Sequence, residues 1–179
     1  MNLGRVTTVY VDVEDRFRLS GAAEDGSVVV LWLTQRLLCR LVPPMVQWLD
    51  KHSTLQASSS RPVATAVQAV HSFAQQSAVA GLRPQMPVHA TAARHDWLVQ
   101  KVDVVTSAQA LCLTFRPPDE GGAGDEKASV TMDATHLRQW LGIVHGQWQQ
   151  AGWPQGVWPL WMAQAAADTP ASGGGVVWH

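Results

Sequence analysis

Charge is what this sequence has least of. Among 179 residues there are 13 Lys or Arg and 14 Asp or Glu, 15% of the chain, where roughly 25% is usual for a globular protein. The formal net charge is -1, which excludes the strong field of a protein that gathers polyanions through its overall charge. The remaining bias is regional. Arg61, Arg83 and Arg94 stand in a central stretch without an acid, and residues 96–179 hold eight acids against four bases. Neither region forms a basic stripe, so Gln, Ser, Thr and Ala must cover much of the surface.

Cysteine is nearly absent, with only Cys39 and Cys112. A chain long enough for a continuous core needs no disulfide, and two free thiols suit a reducing compartment. Neither thiol has a neighbouring base in sequence that would activate it as a nucleophile. No window approaches the apolar length that crosses a bilayer, and MNLGRVTTVY lacks the apolar core of a secretory signal. These absences predict a soluble, cytoplasmic protein with no membrane partner.

Catalytic signatures are missing as well. There is no GxSxG elbow and no HExxH, and the seven histidines fall into no ligand spacing. His89 with His95 and Asp96, and His136 one helical turn from Asp133, are the residues a metal-dependent enzyme would have to use. Solvated or capping roles account for them more simply. The glycine-rich run Gly121–Gly124 is flanked by Asp119, Glu120, Asp125 and Glu126, which repel phosphate. No cofactor and no metal is expected.

What the sequence does have is alternation, caps and tryptophan. Odd positions from Val9 to Leu19 are mostly apolar and even ones polar, which predicts one long strand whose wet face carries Tyr10, Arg16 and Arg18. Asp25-Gly26 predicts a reversal into Val28–Leu33, apolar on both faces and therefore central. Thr34 then caps a helix with Leu38, Leu41, Val42, Met45 and Leu49 on its inner face, interrupted at Pro43-Pro44 by an expected kink. Residues 53–61 compose as a linker. Pro62 can sit in the first turn of a helix in which Val63, Val67, Val70, Phe73 and Ala74 form one face, up to Gly81 as its C-terminal stop.

A second block starts near Trp97, with runs at Val99–Val105, Leu111–Phe115 and Ser129–Met132, separated by an acidic loop from Pro117 to Lys127. Asp133 caps a helix whose inner stripe is Leu137, Trp140, Leu141, Val144 and Trp148. Setting Thr34 against Asp133, an offset of 99, aligns six apolar positions in the same phase. The fold class predicted is therefore α+β: a mainly antiparallel sheet from two pseudo-repeated strand-strand-helix units, helices on one face, and an extra helix between the units. One domain is expected over 1–168, with unit one at 6–52, the connecting helix at 62–81, unit two at 96–152 and a Trp/Pro-rich segment at 153–168. Residues 169–179 are expected to be a flexible tail.

Six of the nine tryptophans lie in the last forty residues. Tryptophan is large, cheap in side-chain entropy and frequent in interface anchors. Trp153, Trp158, Trp161, Met162 and Trp178 are thus the candidate interaction residues, with a sheet edge beside them, and the function expected is a non-enzymatic protein-protein interaction or assembly factor, self-association included. The segment from Trp153 to Met162 has two possible destinations, its own sheet or a partner's groove. The alternative is a single-stranded nucleic-acid-binding protein working through Tyr10, Arg16 and Arg18, although Asp12 and Glu14 alternate with them.

Overall fold

The computed structural model describes residues 1–56, 64–118 and 127–167, and both strands and helices are present, as an α+β chain requires. Strand β1 (Leu3–Val11) does not continue to Leu19. It passes through a 3-10 turn at Asp12–Glu14 into β2 (Arg16–Ala23), so the expected long strand is a hairpin. The turn closes because Asp15 adopts the left-handed conformation at φ 46°, which Asp tolerates through local hydrogen bonding.

The hairpin reverses the meaning of the alternation. Val11 pairs with Arg16, Tyr10 with Phe17 and Val9 with Arg18, so odd residues of β1 share a face with even residues of β2. Phe17 and Leu19 point to the core beside Tyr10, while Val9 and Val11 share the outer face with Arg16 and Arg18. Tyr10 is therefore not on the arginine face.

After a turn with Gly26 at φ 80°, β3 (Val28–Thr34) lies between β2 and β4 (His95–Leu98), in the central position its two apolar faces predict. β3 and β4 are parallel, so this sheet is mixed. The reason is connectivity, since parallel neighbours need a long crossover and two helices separate these strands in the chain. The second sheet, β5 (Lys101–Thr106), β6 (Leu111–Arg116) and β7 (Ala128–Met132), is antiparallel throughout.

The single run expected from Val99 to Val105 is divided between the sheets. The Val99 amide donates to the Trp32 carbonyl at 3.0 Å and the Gln100 amide to the Arg116 carbonyl at 3.3 Å. Successive amides of an extended chain point to opposite sides, so here the strand leaves one sheet and enters the other. The sheets also touch where the Ser129 amide donates to the Met1 carbonyl at 2.9 Å.

Helix α1 (Gln35–Gln56) starts on the Thr34 hydroxyl, which accepts the Leu37 amide at 3.2 Å. It runs unbroken through Pro43 and Pro44, with Leu38, Leu41, Val42, Met45 and Leu49 buried. The expected linker at 53–61 is helical over its first four residues, and the rest of it lies outside the described residues. Helix α2 (Ala64–Ala80) follows; Pro62 and Val63 are outside as well. Helix α3 (Ala134–Gln150) is capped by Asp133, whose Oδ1 accepts the His136 amide at 2.8 Å. Burial alone would raise the Asp133 carboxyl, but the His136 amide and ring hold it below its ordinary value. Leu137, Trp140, Leu141, Val144 and Trp148 are all buried.

Beyond Gly152 at φ 66°, a 3-10 turn at Gln155–Val157 leads into α4 (Leu160–Ala167). Inward side chains of both sheets, α1, α3 and the residues from Trp153 to Met162 form one hydrophobic core. Most of the acidic loop (119–126) and the whole of 169–179, Trp178 included, lie outside the described residues. Among the described residues no helix is long and apolar enough to cross a membrane.

Candidate functional site

Trp153, Trp158, Trp161 and Met162 are together in space, and they are inside. Trp153 stacks on Phe17 with ring centroids 5.0 Å apart and meets Tyr10 and Trp148 edge-on. Its indole N–H and the Tyr10 hydroxyl both donate to Asp15 Oδ1, each at 2.9 Å, and the bond to Asp15 raises the Tyr10 pKa. Trp158 packs edge-on against Trp148 and His145. Of the two destinations open to this segment its tryptophans and Met162 use the chain's own core, while Leu160 is 72% exposed.

Exposed large apolar residues among the described ones are Met1, Val13, Val70, Phe73, Met86, Val105 and Leu160, and two of them share α2. This helix contains no Asp, Glu, Lys or Arg in seventeen residues. Val70 and Phe73, from the apolar face expected of this helix, stand outward at 55% and 71% exposure. Buried instead are His71, Ser72, Gln75 and Ala78. The cause lies on α3, where Arg138 occupies an inward position at 4% exposure. A buried guanidinium must be given hydrogen-bond partners or it destabilises the fold by several kcal/mol (order of magnitude only).

The polar side of α2 meets that requirement. Arg138 Nη2 lies 3.1 Å from His71 Nδ1, and the guanidinium carbon sits 5.3 Å from the centre of the Trp161 ring. His71 stacks on the same indole at 5.3 Å and its Nε2 faces Asp50 Oδ1 at 3.5 Å. A neutral imidazole fits both neighbours, accepting from Arg138 at Nδ1 and donating to Asp50 at Nε2. Burial first, and then the guanidinium, push the His71 pKa down, with Asp50 opposing. Two amide bonds complete the union of the helices: Gln75 Nε2 donates to the Arg138 carbonyl and Gln139 Nε2 to the Ala78 carbonyl, each at 2.9 Å. Gly142 allows the close approach, since a Cβ there would stand 3.1 Å from Gln75 Nε2 and 3.2 Å from a Val79 methyl.

Beside this union α2, α3 and α4 leave a groove of about 270 Å³, its apolar floor including Val79, Ile143 and Met162 and its rim carrying Gln76, Gln139 and Gln150. His145 borders it, its pKa lowered by burial against an opposing hydrogen bond from Gln155.

The other predicted residues are scattered. Arg16 and Arg18 lie on the outer sheet face, where Arg18 pairs across strands with Trp32. Arg16 also approaches Glu14 at 3.9 Å. His89 and His95 are exposed on the loop and strand that precede the second sheet. His136 Nδ1 meets the capping Asp133 at 2.9 Å. Among the described residues no three His, Cys, Asp or Glu side chains form a group able to hold a metal ion.

Sequence reasoning missed Val70 and Phe73 as outward residues and Trp32 as the aromatic beside the arginines. The signal for α2 was present as Arg138, a cation at an inward phase of α3 facing a helix rich in neutral hydrogen-bonding groups. For Trp32 it was the reversal at Asp25-Gly26, whose β2–β3 register sets Trp32 opposite Arg18. Compared with known proteins, the chain matches no family model, no curated protein and no solved structure.

Proposed function

We propose that this chain is a non-enzymatic interaction or assembly factor whose contact surface is the outward face of α2. The observation that carries the reading is the inversion of that helix: its hydrogen-bonding groups turn inward and Val70 and Phe73 turn out. A surface helix ordinarily does the opposite. A charge-free apolar stripe in water favours association, because burying it removes apolar area from solvent without desolvating an ion. The test is a photo-crosslinking amino acid at position 73, introduced in the cells that make the protein. A discrete protein adduct is expected there, absent with the probe at exposed Val13 and lost with Val70→Glu. Labelling at 73 no greater than at 13 would sink the reading.

We also read 6–52 and 96–152 as copies of one strand-strand-helix unit with their helices on one face, inside one domain spanning 1–168. Support comes from burial in phase: Leu33 and Met132, Leu38 and Leu137, Leu41 and Trp140, Val42 and Leu141, Met45 and Val144, and Leu49 and Trp148 are all buried. Thr34 and Asp133, the residues at the aligned caps, both accept the amide three residues on.

A second reading, single-stranded nucleic-acid binding, is favoured by one observation: Arg18 sits beside half-buried Trp32 on the outer sheet face, and Arg16 is next along the strand. An aromatic beside cations is the arrangement on which bases stack while phosphates are neutralised. Fluorescence anisotropy with a labelled single-stranded oligonucleotide at low salt tests it. Binding weakened by Arg18→Ala and by Trp32→Ala is expected, and no binding at low ionic strength ends it.

A further inference from the structure

We propose that α2 is a latch released by acid: protonation of His71 undocks this helix from α3 and α4 while the two sheets, α1 and α3 stay folded. The inference goes beyond the interaction reading and holds whatever the outward face of α2 meets. What sets α2 apart is how it is held. No residue of it belongs to the hydrophobic core that joins both sheets, α1, α3 and the segment from Trp153 to Met162. Among its described side chains the one buried apolar group is Ala78. Polar groups supply the rest: buried His71, Ser72 and Gln75, and the amide bonds of Gln75 to the Arg138 carbonyl and of Gln139 to the Ala78 carbonyl. A unit with so little buried apolar area opens at a lower free energy than the core beneath it.

The attachment admits one protonation state. Arg138 Nη2 stands 3.1 Å from His71 Nδ1, and a guanidinium has donors only, so Nδ1 has to accept and carry no proton. A proton added there sets one N–H against another and places a second positive charge beside a buried one. His71 is 2% and Arg138 4% exposed, so little water screens the pair. Asp50 of α1, 3.5 Å from the other ring nitrogen, opposes this, but its side chain is half exposed and water weakens its pull. α4 contributes the uncharged Trp161 indole, stacked on the imidazole. Burial and then the guanidinium outweigh the carboxylate, and the docked site favours the neutral ring.

Linkage fixes the direction and the limit. In the docked helix the His71 pKa is lowered; in the undocked helix it returns to the ordinary value of about 6.5. Undocking thus takes up a proton, is favoured as pH falls below that value and gains nothing above it. One histidine binds one proton, so between pH 7.5 and 5.0 the opening equilibrium can grow by no more than about thirtyfold. Release uncovers Arg138 and Trp161 and removes one wall of the groove floored by Ile143 and Met162. Acid therefore exchanges the face that α2 presents for the face that it hides.

Hydrogen–deuterium exchange read by mass spectrometry at pH 7.5 and 5.0, corrected for the intrinsic pH dependence of exchange, tests the latch. Peptides from α2 are expected to lose protection by about ten- to thirtyfold at the lower pH, and peptides from β2, β3 and α3 by less than about twofold. His71→Asn keeps an oxygen acceptor for Arg138 and cannot take up the proton, so its α2 is expected to be equally protected at both pH values. If that variant does not fold, His71→Leu with Arg138→Met takes its place with the same expectation. His145→Gln, which removes the other buried imidazole, is expected to respond like the parent. A loss in α2 no greater than in α3, a loss shared by the whole chain, an α2 unprotected at both pH values, or the parent's response in a His71 variant overturns the latch.

Discussion

α2 and α3 lie against one another and solve opposite problems. α3 buries Leu137, Trp140, Leu141, Val144 and Trp148 and keeps most of its polar residues outside. α2 buries His71, Ser72 and Gln75 and leaves Val70 and Phe73 in water. The difference teaches that an apolar stripe shows where a helix wishes to lose water, not which of its neighbours receives it. One helix is held by packing area and the other by satisfying a buried cation. The second leaves Val70 and Phe73 as exposed apolar surface.

The comparison can be broken from the α3 side with the largest effect. Trp148→Ala removes a fully buried indole and is expected to cost about 3–5 kcal/mol in chemical denaturation. On the α2 side His71→Leu leaves Arg138 without its imidazole acceptor, and a loss of about 1–3 kcal/mol is expected. The double variant His71→Leu with Arg138→Met should recover most of that loss, because an apolar pair replaces a buried polar one. A double variant no better than the single would show that the polar layer does more than satisfy Arg138.

Acid should distinguish the two helices more gently. His71 and His145 both have pKa values lowered, burial being the first cause, so folding favours the neutral form of each. Below the ordinary histidine value of about 6.5 the unfolded chain takes up protons that the folded chain refuses. Their contribution is thus complete above that pH and declines as pH falls towards the lowered folded values. The denaturation midpoint is expected to be level from pH 8 to 7 and to fall below about 6.5, less steeply in the His71→Leu, Arg138→Met variant. The smallest effect belongs to the outer face: in dilute protein Phe73→Glu should change stability by no more than about 0.5 kcal/mol, the sign that Phe73 is not part of the fold's own support.

Much of the fold was legible because local signals were mutually consistent. Thr34 and Asp133 announce helices and then cap them, and the stripe from Leu38 to Leu49 is buried despite Pro43 and Pro44. The hairpin at Asp12–Asp15 was not legible, since Asp12 and Glu14 fit a wet strand face as well as a turn, and only the left-handed Asp15 separates the two. The arginine face lost Tyr10 through that turn, and Trp32 joins it through the register of β2 with β3. The segment from Trp153 to Met162 had two destinations open to it, its own sheet or a partner's groove, because sequence does not reveal that Phe17, Tyr10 and His145 would be waiting for it. The face of α2 required knowing that a cation on another helix needed it.

Beyond its pairing with β2, the beginning of the chain is tied to its end. The Met1 amine donates to the Lys127 carbonyl, Trp140 to Thr8, the Tyr10 amide to Gln147, and Trp153 to Asp15, so the partners are 126 to 138 residues apart. On a ribosome adding about 5–20 residues per second, the first strand emerges many seconds before the groups that complete it. Its hairpin must wait with Tyr10, Phe17 and Leu19 uncovered, and contacts of such long sequence separation close slowly. The order of synthesis thus makes the last third of the chain the step that commits the first, and a nascent chain stalled before Trp140 is expected to hold its N-terminal hairpin open to chaperones.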